Sequence, residues 1–374
     1  MKGIVIIGGG LAGLTTAINL AIHGVGCTLI EKNRYPFHRV CGEYVSNEAL
    51  PFLKSVNLLP GQFDLPRIGR FQLSACSGRA VTLPLDLGGF GISRYSFDNH
   101  LYCVAKSLGV KFRLNTVAEN VSFDSGKFHV RANGNSIEAD IVVGSFGKKS
   151  RLDVVLKRKF TLPLSPYVAV KYHVRTDFPD DLVALHNFEG GYCGVVRIED
   201  GITNLCYLVE RRRLKDAGSI PALEDEMCRQ NPLLRNIFSN CDFLFEKALV
   251  INEVSFATKT PVEGHMLMTG DAGGMIAPVC GNGMAMAVHS GKLASEAILS
   301  YCNGEISRTE MELRYRKQWR QHFTARLWFG RNVQRLFGKP RLSDMAVKTI
   351  QRIEPVGRLL IRYSHGRPFG GPAP

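Results

Sequence analysis

Gly8, Gly10 and Gly13 are spaced as G-x-G-x-x-G, directly behind the β-prone run Ile4-Val5-Ile6-Ile7 and ahead of an apolar segment of helical character, Leu14 to Ala21. Glycine at the first position permits a tight turn, at the second lets backbone approach a pyrophosphate, and at the third lets helix and strand pack closely. Leu11 and Ala12 then begin a helix whose unpaired N–H groups face the phosphates. A second apolar run, Cys27-Thr28-Leu29-Ile30, ends at Glu31, from where a carboxylate reaches a ribose diol. Strand, turn, helix, strand and acid, in that order, predict a dinucleotide-binding unit. In the basic loop that follows, Lys32, Arg34 and Arg39 are available to phosphates or to an adenosine end, and Gly42 lies in the same loop.

Far along the chain the same chemistry returns. Met266-Leu267-Met268-Thr269 runs into Gly270-Asp271-Ala272-Gly273-Gly274, and Pro278, Gly281, Asn282 and Gly283 precede a helix over Met284 to Leu299. One such loop cradles a pyrophosphate. Two predict a long cofactor with a second polar end, held across the fold, with Asp271 placed to bind a ribityl chain.

The elements that position these residues read as a discontinuous arrangement. Ser46-Asn47-Glu48-Ala49-Leu50 is a capped helix start, the helix running to about Val56, and two strands alternate loosely between Ile68 and Pro84. Arg94 to Leu108 is a helix with Phe97, Leu101, Val104, Ala105 and Leu108 on its apolar face, followed by a parallel-type strand, Val110 to Leu114. Segments 120–123, 127–132 and 136–139 form a meander, and Asp140 to Gly144 returns to the first sheet. Consecutive antiparallel strands are expected over 167–175, 182–188, 193–198 and 204–209. The fold class is therefore α/β (α+β), a Rossmann-type domain with an inserted antiparallel-sheet substrate domain and a C-terminal helical segment. The boundaries fall at 1–70, 90–160 and 255–307 for the first, 71–89 and 161–254 for the second, and 308–374 for the third.

Composition bounds the reading further. The chain has 374 residues and ten scattered cysteines without a C-x-x-C pair, which we read as reduced thiols of a cytoplasmic protein. No Cys/His cluster has metal-ligand spacing. Gly3 to Ile30 carries no Asp, Glu, Lys or Arg, but its glycines, Asn19 and His23 argue against a membrane span. A signal peptide is not expected, because no cleavage-like end follows. The net charge is +14, and residues 308–374 hold 15 Lys+Arg against 4 Asp+Glu, or 15 − 4 = +11. This segment suits an anionic membrane surface or an acidic carrier protein, or is simply a solvated helical surface; nucleic acid is not favoured. Met311, Tyr315, Trp319, Phe323 and Leu327 recur every fourth residue, a stripe that is more often core than membrane contact.

Over about residues 1–310 these motifs resemble the FAD-dependent monooxygenase superfamily, the p-hydroxybenzoate-hydroxylase-like fold shared with geranylgeranyl reductases and flavin halogenases. The resemblance implies FAD, bound by Gly8, Gly10, Leu11, Ala12, Gly13, Glu31, Lys32, Arg39 and Gly42, by Arg94, and by Gly270, Asp271, Pro278, Gly281, Asn282, Gly283 and Met284. Departures bear on the reaction. Ser145-Phe146-Gly147 stands where the hydroxylases carry an Asp-Gly motif tied to FAD and NADPH; Phe146 replaces the acid, so the resemblance does not carry direct NADPH use over, and the electron donor is NAD(P)H or another reductant. Gly274 replaces a histidine, as in the reductases and halogenases. Cys41-Gly42-Glu43 resembles the reductases' Cys-Gly segment. The reductases' Tyr-x-Trp-x-Phe-Pro strand is reduced to Tyr192-Cys193-Gly194-Val195-Val196-Arg197, and the halogenases' Trp-x-Trp motif is missing.

The activity these features imply is a flavoprotein monooxygenase of secondary metabolism, oxidising a lipophilic aromatic or polyketide-like metabolite through a flavin C4a-hydroperoxide. The alternative is a reductase of prenyl or lipid C=C bonds. A third is a membrane-peripheral FAD protein without catalysis. Cys41 and Glu43 are the catalytic candidates, as a thiol and a proton donor beside the ring. The plainer reading is that their loop only shapes the pocket. Tyr44, His186 and Tyr192 are the candidate substrate contacts.

Overall fold

In a computed structural model of the chain, residues 2–158, 160 and 166–370 are described. Positions 1 and 159 of the expected first domain, 161–165 of the expected substrate domain and 371–374 of the expected C-terminal segment lie outside that range. The chain opens with β1 (Ile4–Ile7), α1 (Leu11–Ile22) and β2 (Thr28–Ile30). Next come β3 (Tyr44–Ser46), α2 (Leu50–Ser55), β4 (Arg67–Ser74), β5 (Ala80–Gly91), α3 (Arg94–Ser107) and β6 (Lys111–Arg113). The meander is β7 (Ala118–Asp124), β8 (Lys127–Ala132) and β9 (Asn135–Ala139), turning at positive-φ residues Ser125-Gly126 and Asn133-Gly134. After it stand β10 (Ile141–Gly144), α4 (Arg151–Val155), β11 (Tyr167–Arg175), β12 (Leu182–Phe188), β13 (Gly191–Arg197) and β14 (Thr203–Glu210). Then follow α5 (Arg211–Ala217), α6 (Ile220–Gln230), α7 (Pro232–Ser239), β15 (Asp242–Phe243), β16 (Leu249–Val254), β17 (Val262–Glu263) and β18 (Met266–Met268). Four helices close the chain: α8 (Gly283–Cys302), α9 (Arg308–Gln334), α10 (Pro340–Arg352) and α11 (Glu354–Ser364).

The first sheet has the order β17-β18-β10-β1-β2-β6, parallel except at β17. Its central strands are buried on both faces, which is why β1 and β10 read as unbroken apolar runs rather than alternating ones. On one face α1 lies against α8 so closely that a Cβ on Gly291 would press on the Ala12 carbonyl oxygen. Asn19 donates to Ser295 Oγ at 2.8 Å across the same contact. The apolar Leu14–Ala21 run is thus a core helix. The α9 stripe is core too: Met311, Tyr315, Trp319, Phe323 and Leu327 are all buried, and Tyr315 donates to the Met268 carbonyl at 2.7 Å.

The second sheet runs β15-β11-β14-β13-β12-β4-β5-β3, with β16 also on β11. Its strands from Tyr167 onward are antiparallel neighbours as expected, with one exception. β12 does not pair with β11; it lies parallel to β4, Leu182 opposite Arg70 through His186 opposite Ser74. That parallel seam joins the 67–91 hairpin to the later strands. One face of the sheet packs on α6 and α7 through Val170, Leu205, Tyr207, Leu223 and Leu234. The other, bearing Ala169, Lys171, Leu185, Tyr192 and Leu208, turns toward the first sheet's loops and the last helices. The helix expected from Ser46 begins later, at Leu50, because Tyr44–Ser46 pairs with Gly89–Gly91 as an edge strand.

Candidate functional site

The first glycine loop is built as its spacing requires. Gly8 takes φ +106°, and a Cβ there would run into the Ser145 backbone; a Cβ on Gly13 would overlap the Gly8 carbonyl oxygen. Gly10 is the N-cap of α1 and offers no side-chain cap, so the amides of Leu11, Ala12 and Gly13 stay available to an anion. The nearest atom to a Cβ on Gly10 would be the Arg94 guanidinium, at 3.4 Å. Glu31 is buried at the end of β2, where its carboxylate accepts from Gly9 N at 2.8 Å and Asn33 N at 3.1 Å. Arg39 bridges Glu31 at 3.3 Å and Asp98 at 3.0 Å, and Asp98 also accepts twice from Arg94 at 2.7 Å. Two carboxylates and two guanidiniums therefore fix the floor of the loop. Lys32 and Gly42 are exposed beside it.

The second loop meets the first. Gly270, at φ +56°, would place a Cβ 3.1 Å from that of Ala12. Its N–H donates to Ser290 Oγ at 2.8 Å. The Asp271 carboxylate is half-buried and has no hydrogen-bond partner among the described residues, while its backbone carbonyl accepts from Lys259 Nζ at 2.8 Å. Desolvation pulls the Lys259 ammonium down to about 8. Gly281 adopts the left-handed region at φ +63°, and the N-terminus of α8 at Asn282, Gly283 and Met284 has no side-chain cap. Asn282 is buried with its Oδ1 unsatisfied. An uncapped helix start, an orphaned amide oxygen and a free carboxylate, joined to a bare pyrophosphate cradle, fit an extended dinucleotide cofactor with a hydroxylated linker. Gly274 is glycine for a packing reason: a Cβ would lie 2.9 Å from the side chains of Leu327 and Trp319.

Between the two sheets lies a cluster that sequence reasoning missed. Glu43, in β3's approach loop at φ +56°, is fully buried. Its carboxylate accepts from Lys171 Nζ at 2.5 Å, from the Arg94 amide at 2.7 Å, and meets His173 Nε2 at 2.7 Å. Burial pushes the carboxyl up, but the Lys171 ammonium and His173 outweigh it and hold it at about 2. Glu43, expected as a proton donor, stands here as the acceptor for the Lys171 ammonium and the Arg94 amide, with its carboxyl held low by Lys171 and His173. Lys171 also donates to the Arg39 carbonyl at 3.1 Å, and Asn204 to the carbonyls of Cys41 and Gly42 at 3.2 and 3.0 Å. The second sheet thus grips the 39–43 loop through its backbone. Desolvation lowers the pKa of Arg94, and its ion pair with Asp98, with a further part from Cys41, carries it upward on balance. The signal in the sequence was Lys171 and His173 at alternate positions of an otherwise apolar strand.

An apolar cavity of about 160 Å³ continues from this region. Phe71, Leu73, Leu83, Leu85 and Leu185 form its sheet wall, Pro278 to Gly281 its cofactor-side wall, and residues of α9 to α11 its cover. Its few polar groups are Tyr44, Asn187, Ser343, Ser364 and His365. The Tyr44 hydroxyl donates to the Gly88 carbonyl at 3.1 Å and lies 3.4 Å from His365 Nε2. Burial and Glu48 raise its pKa, and burial lowers that of His365. Of the three candidate substrate contacts, only Tyr44 lines this cavity. His186 points to the opposite face of its strand, held by Ser74 Oγ at 3.0 Å, because alternation puts Leu185 and Asn187 on the cavity side. Tyr192 is on the correct face but is buried beneath α9, donating to Gln334 Oε1 at 3.0 Å.

Comparison with known proteins agrees with this geometry. The chain is 23% identical over 377 residues to conditioned medium factor receptor 1 of Dictyostelium discoideum, covering 93% of this chain and 73% of that protein. It is likewise 23% identical over 377 residues to digeranylgeranylglycerophospholipid reductase of Methanococcus aeolicus, covering 94% and 91%. The myxobacterial chondrochloren halogenase has the same fold, with a TM-score of 0.77 at 17% identity over 97% of this chain and 90% of that one. The FAD binding domain family, FAD_binding_3, matches residues 2–325, and the chain belongs to it.

Proposed function

We propose that this FAD-dependent oxidoreductase reduces carbon–carbon double bonds of a prenyl or lipid substrate. The observation that carries the reading is the cavity itself. It is apolar along its length, and its inner wall is shared by Tyr44 and by Pro278 to Gly281 of the second FAD loop. The relationship to a digeranylgeranylglycerophospholipid reductase over nearly all of both chains supports it.

When bound and reduced, FAD supplies a hydride. The chain's own residues do the rest. Leu and Phe side chains align an alkene and exclude water. Tyr44, kept as the protonated phenol, stands ready to give a proton to the second alkene carbon; the tyrosinate left behind takes its proton back from solvent, with His365 Nε2, 3.4 Å away, placed to relay it. The ion cluster around Glu43 holds the Cys41–Gly42 loop in place.

A second reading, oxygen transfer to an aromatic metabolite, is favoured by the same Tyr44–His365 contact, which suits a phenolic hydroxyl. NAD(P)H or another reductant would feed either reaction. Mass spectrometry of products separates them. Anaerobic gain of one H2 per double bond supports the reductase, whereas oxygen-dependent gain of one oxygen atom replaces it with the oxygenase.

A further inference from the structure

The last three helices leave one face uncovered. On α9, Trp328 is 62% exposed; on α11, Leu359 and Tyr363, one turn apart, are 51% and 58% exposed. The two helices touch there, with the Phe329 and Tyr363 rings 5.9 Å apart. Leu336 and Leu360 line the cavity and are nevertheless 45% and 38% exposed, so they mark its mouth on this same face. Cations surround it. Arg331 and Arg335 follow Trp328 along α9 and its end, and on α11 Leu359 is flanked by Arg362 and by Arg358, the latter ion-paired to Glu354 at 2.7 Å. On α10, the outward stripe opposite buried Val347 and Ile350 carries exposed Met345 among Arg341, Lys348 and Arg352.

We propose that this face docks on an anionic lipid bilayer and that the cavity opens into it. Exposed aromatic and aliphatic side chains ringed by Arg and Lys on short amphipathic helices are the makings of an interfacial surface. The charge is complementary: from Trp328 to Tyr363 the chain carries Arg331, Arg335, Lys339, Arg341, Lys348, Arg352, Arg358 and Arg362 against only Asp344 and Glu354. No helix among the described residues is long and apolar enough to cross a membrane. Docking stands on the surface alone; delivery of a lipophilic substrate through the mouth rests on the reductase reading above.

The test uses FAD-loaded full-length protein and vesicles of phosphatidylcholine, with and without phosphatidylglycerol. Trp319 is buried, so Trp328 reports the surface. Its emission is expected to shift to the blue on the anionic vesicles only and to be quenched by brominated acyl chains. Arg331→Gln with Arg335→Gln should weaken vesicle binding by roughly 25-fold, roughly fivefold per cation lost. Leu359→Ser should weaken it further, with flavin content and turnover of detergent-dispersed substrate retained. No shift on anionic vesicles, or binding indifferent to the arginine substitutions, overturns the proposal. So does a dimer in sedimentation that Leu359→Ser dissolves, since a second copy would then cover the face. Vesicle binding without any prenyl reduction in detergent leaves docking in place and removes the reductase reading instead.

Discussion

Lys171 and Glu43 form an ion pair at 2.5 Å with both side chains wholly removed from solvent. One comes from the second sheet and the other from the loop that enters β3, so the pair ties the two halves of the site together. A buried pair adds little over an apolar one, but breaking it strands a charge. Glu43→Gln should therefore cost about 3–5 kcal/mol of unfolding free energy. Glu43→Gln combined with Lys171→Met should recover most of that loss. Urea denaturation of the FAD-loaded proteins checks both. Equal losses in the single and double variants would show that the pair is not the source.

His186 sets a second expectation. Burial lowers its pKa from 6.5 to about 4. The unfolded chain therefore takes up the proton first as pH falls. The stability this neutral histidine contributes is complete above pH 6.5 and is lost on the way down to about 4. Between pH 7 and pH 5 the loss should be about 2 kcal/mol, at about 1.4 kcal/mol per pKa unit. Denaturation midpoints across that range measure it, and His186→Gln should flatten the slope.

The two acidic cofactor contacts should separate binding from folding. The Asp271 carboxylate accepts no hydrogen bond among the described residues and only faces the Lys259 ammonium, so Asp271→Ala should leave apoprotein stability within about 0.5 kcal/mol while weakening FAD binding by at least about tenfold. Glu31→Ala should do both kinds of damage, because Gly9 N and Asn33 N lose their acceptor and Arg39 keeps only Asp98 of its two carboxylates. Flavin fluorescence titration alongside thermal melts distinguishes the two.

Tyr44→Phe keeps the ring that packs on Gly89 and removes only the hydroxyl. If Tyr44 delivers the proton, kcat should fall by about 10²–10⁴ with KM little changed. A change confined to KM would make it a contact and nothing more.

Much of this was legible in the sequence because it is local. The G-x-G-x-x-G loop, Glu31 and the 270–284 segment have chemistry that depends on neighbours a few residues away, and the α9 stripe announces its burial by its own period. The Glu43 cluster was not legible. Its partners come from a strand 128 residues along the chain, and only the register of β11 against β14 turns Lys171 toward the loop. His186 illustrates the same limit: one step along β12 separates the cavity face from the helix face, and nothing within that strand says which is which. The parallel β4–β12 seam, likewise, is a meeting of distant segments.

The most direct measurement is a single turnover without oxygen. The FAD-loaded protein is photoreduced under nitrogen until the flavin bleaches, and a polyprenyl lipid is then mixed in. The account predicts that the oxidised flavin spectrum returns as the lipid's double bonds are consumed, and that Tyr44→Phe slows that return. A flavin that stays bleached with lipid and recovers only when oxygen is admitted would contradict it.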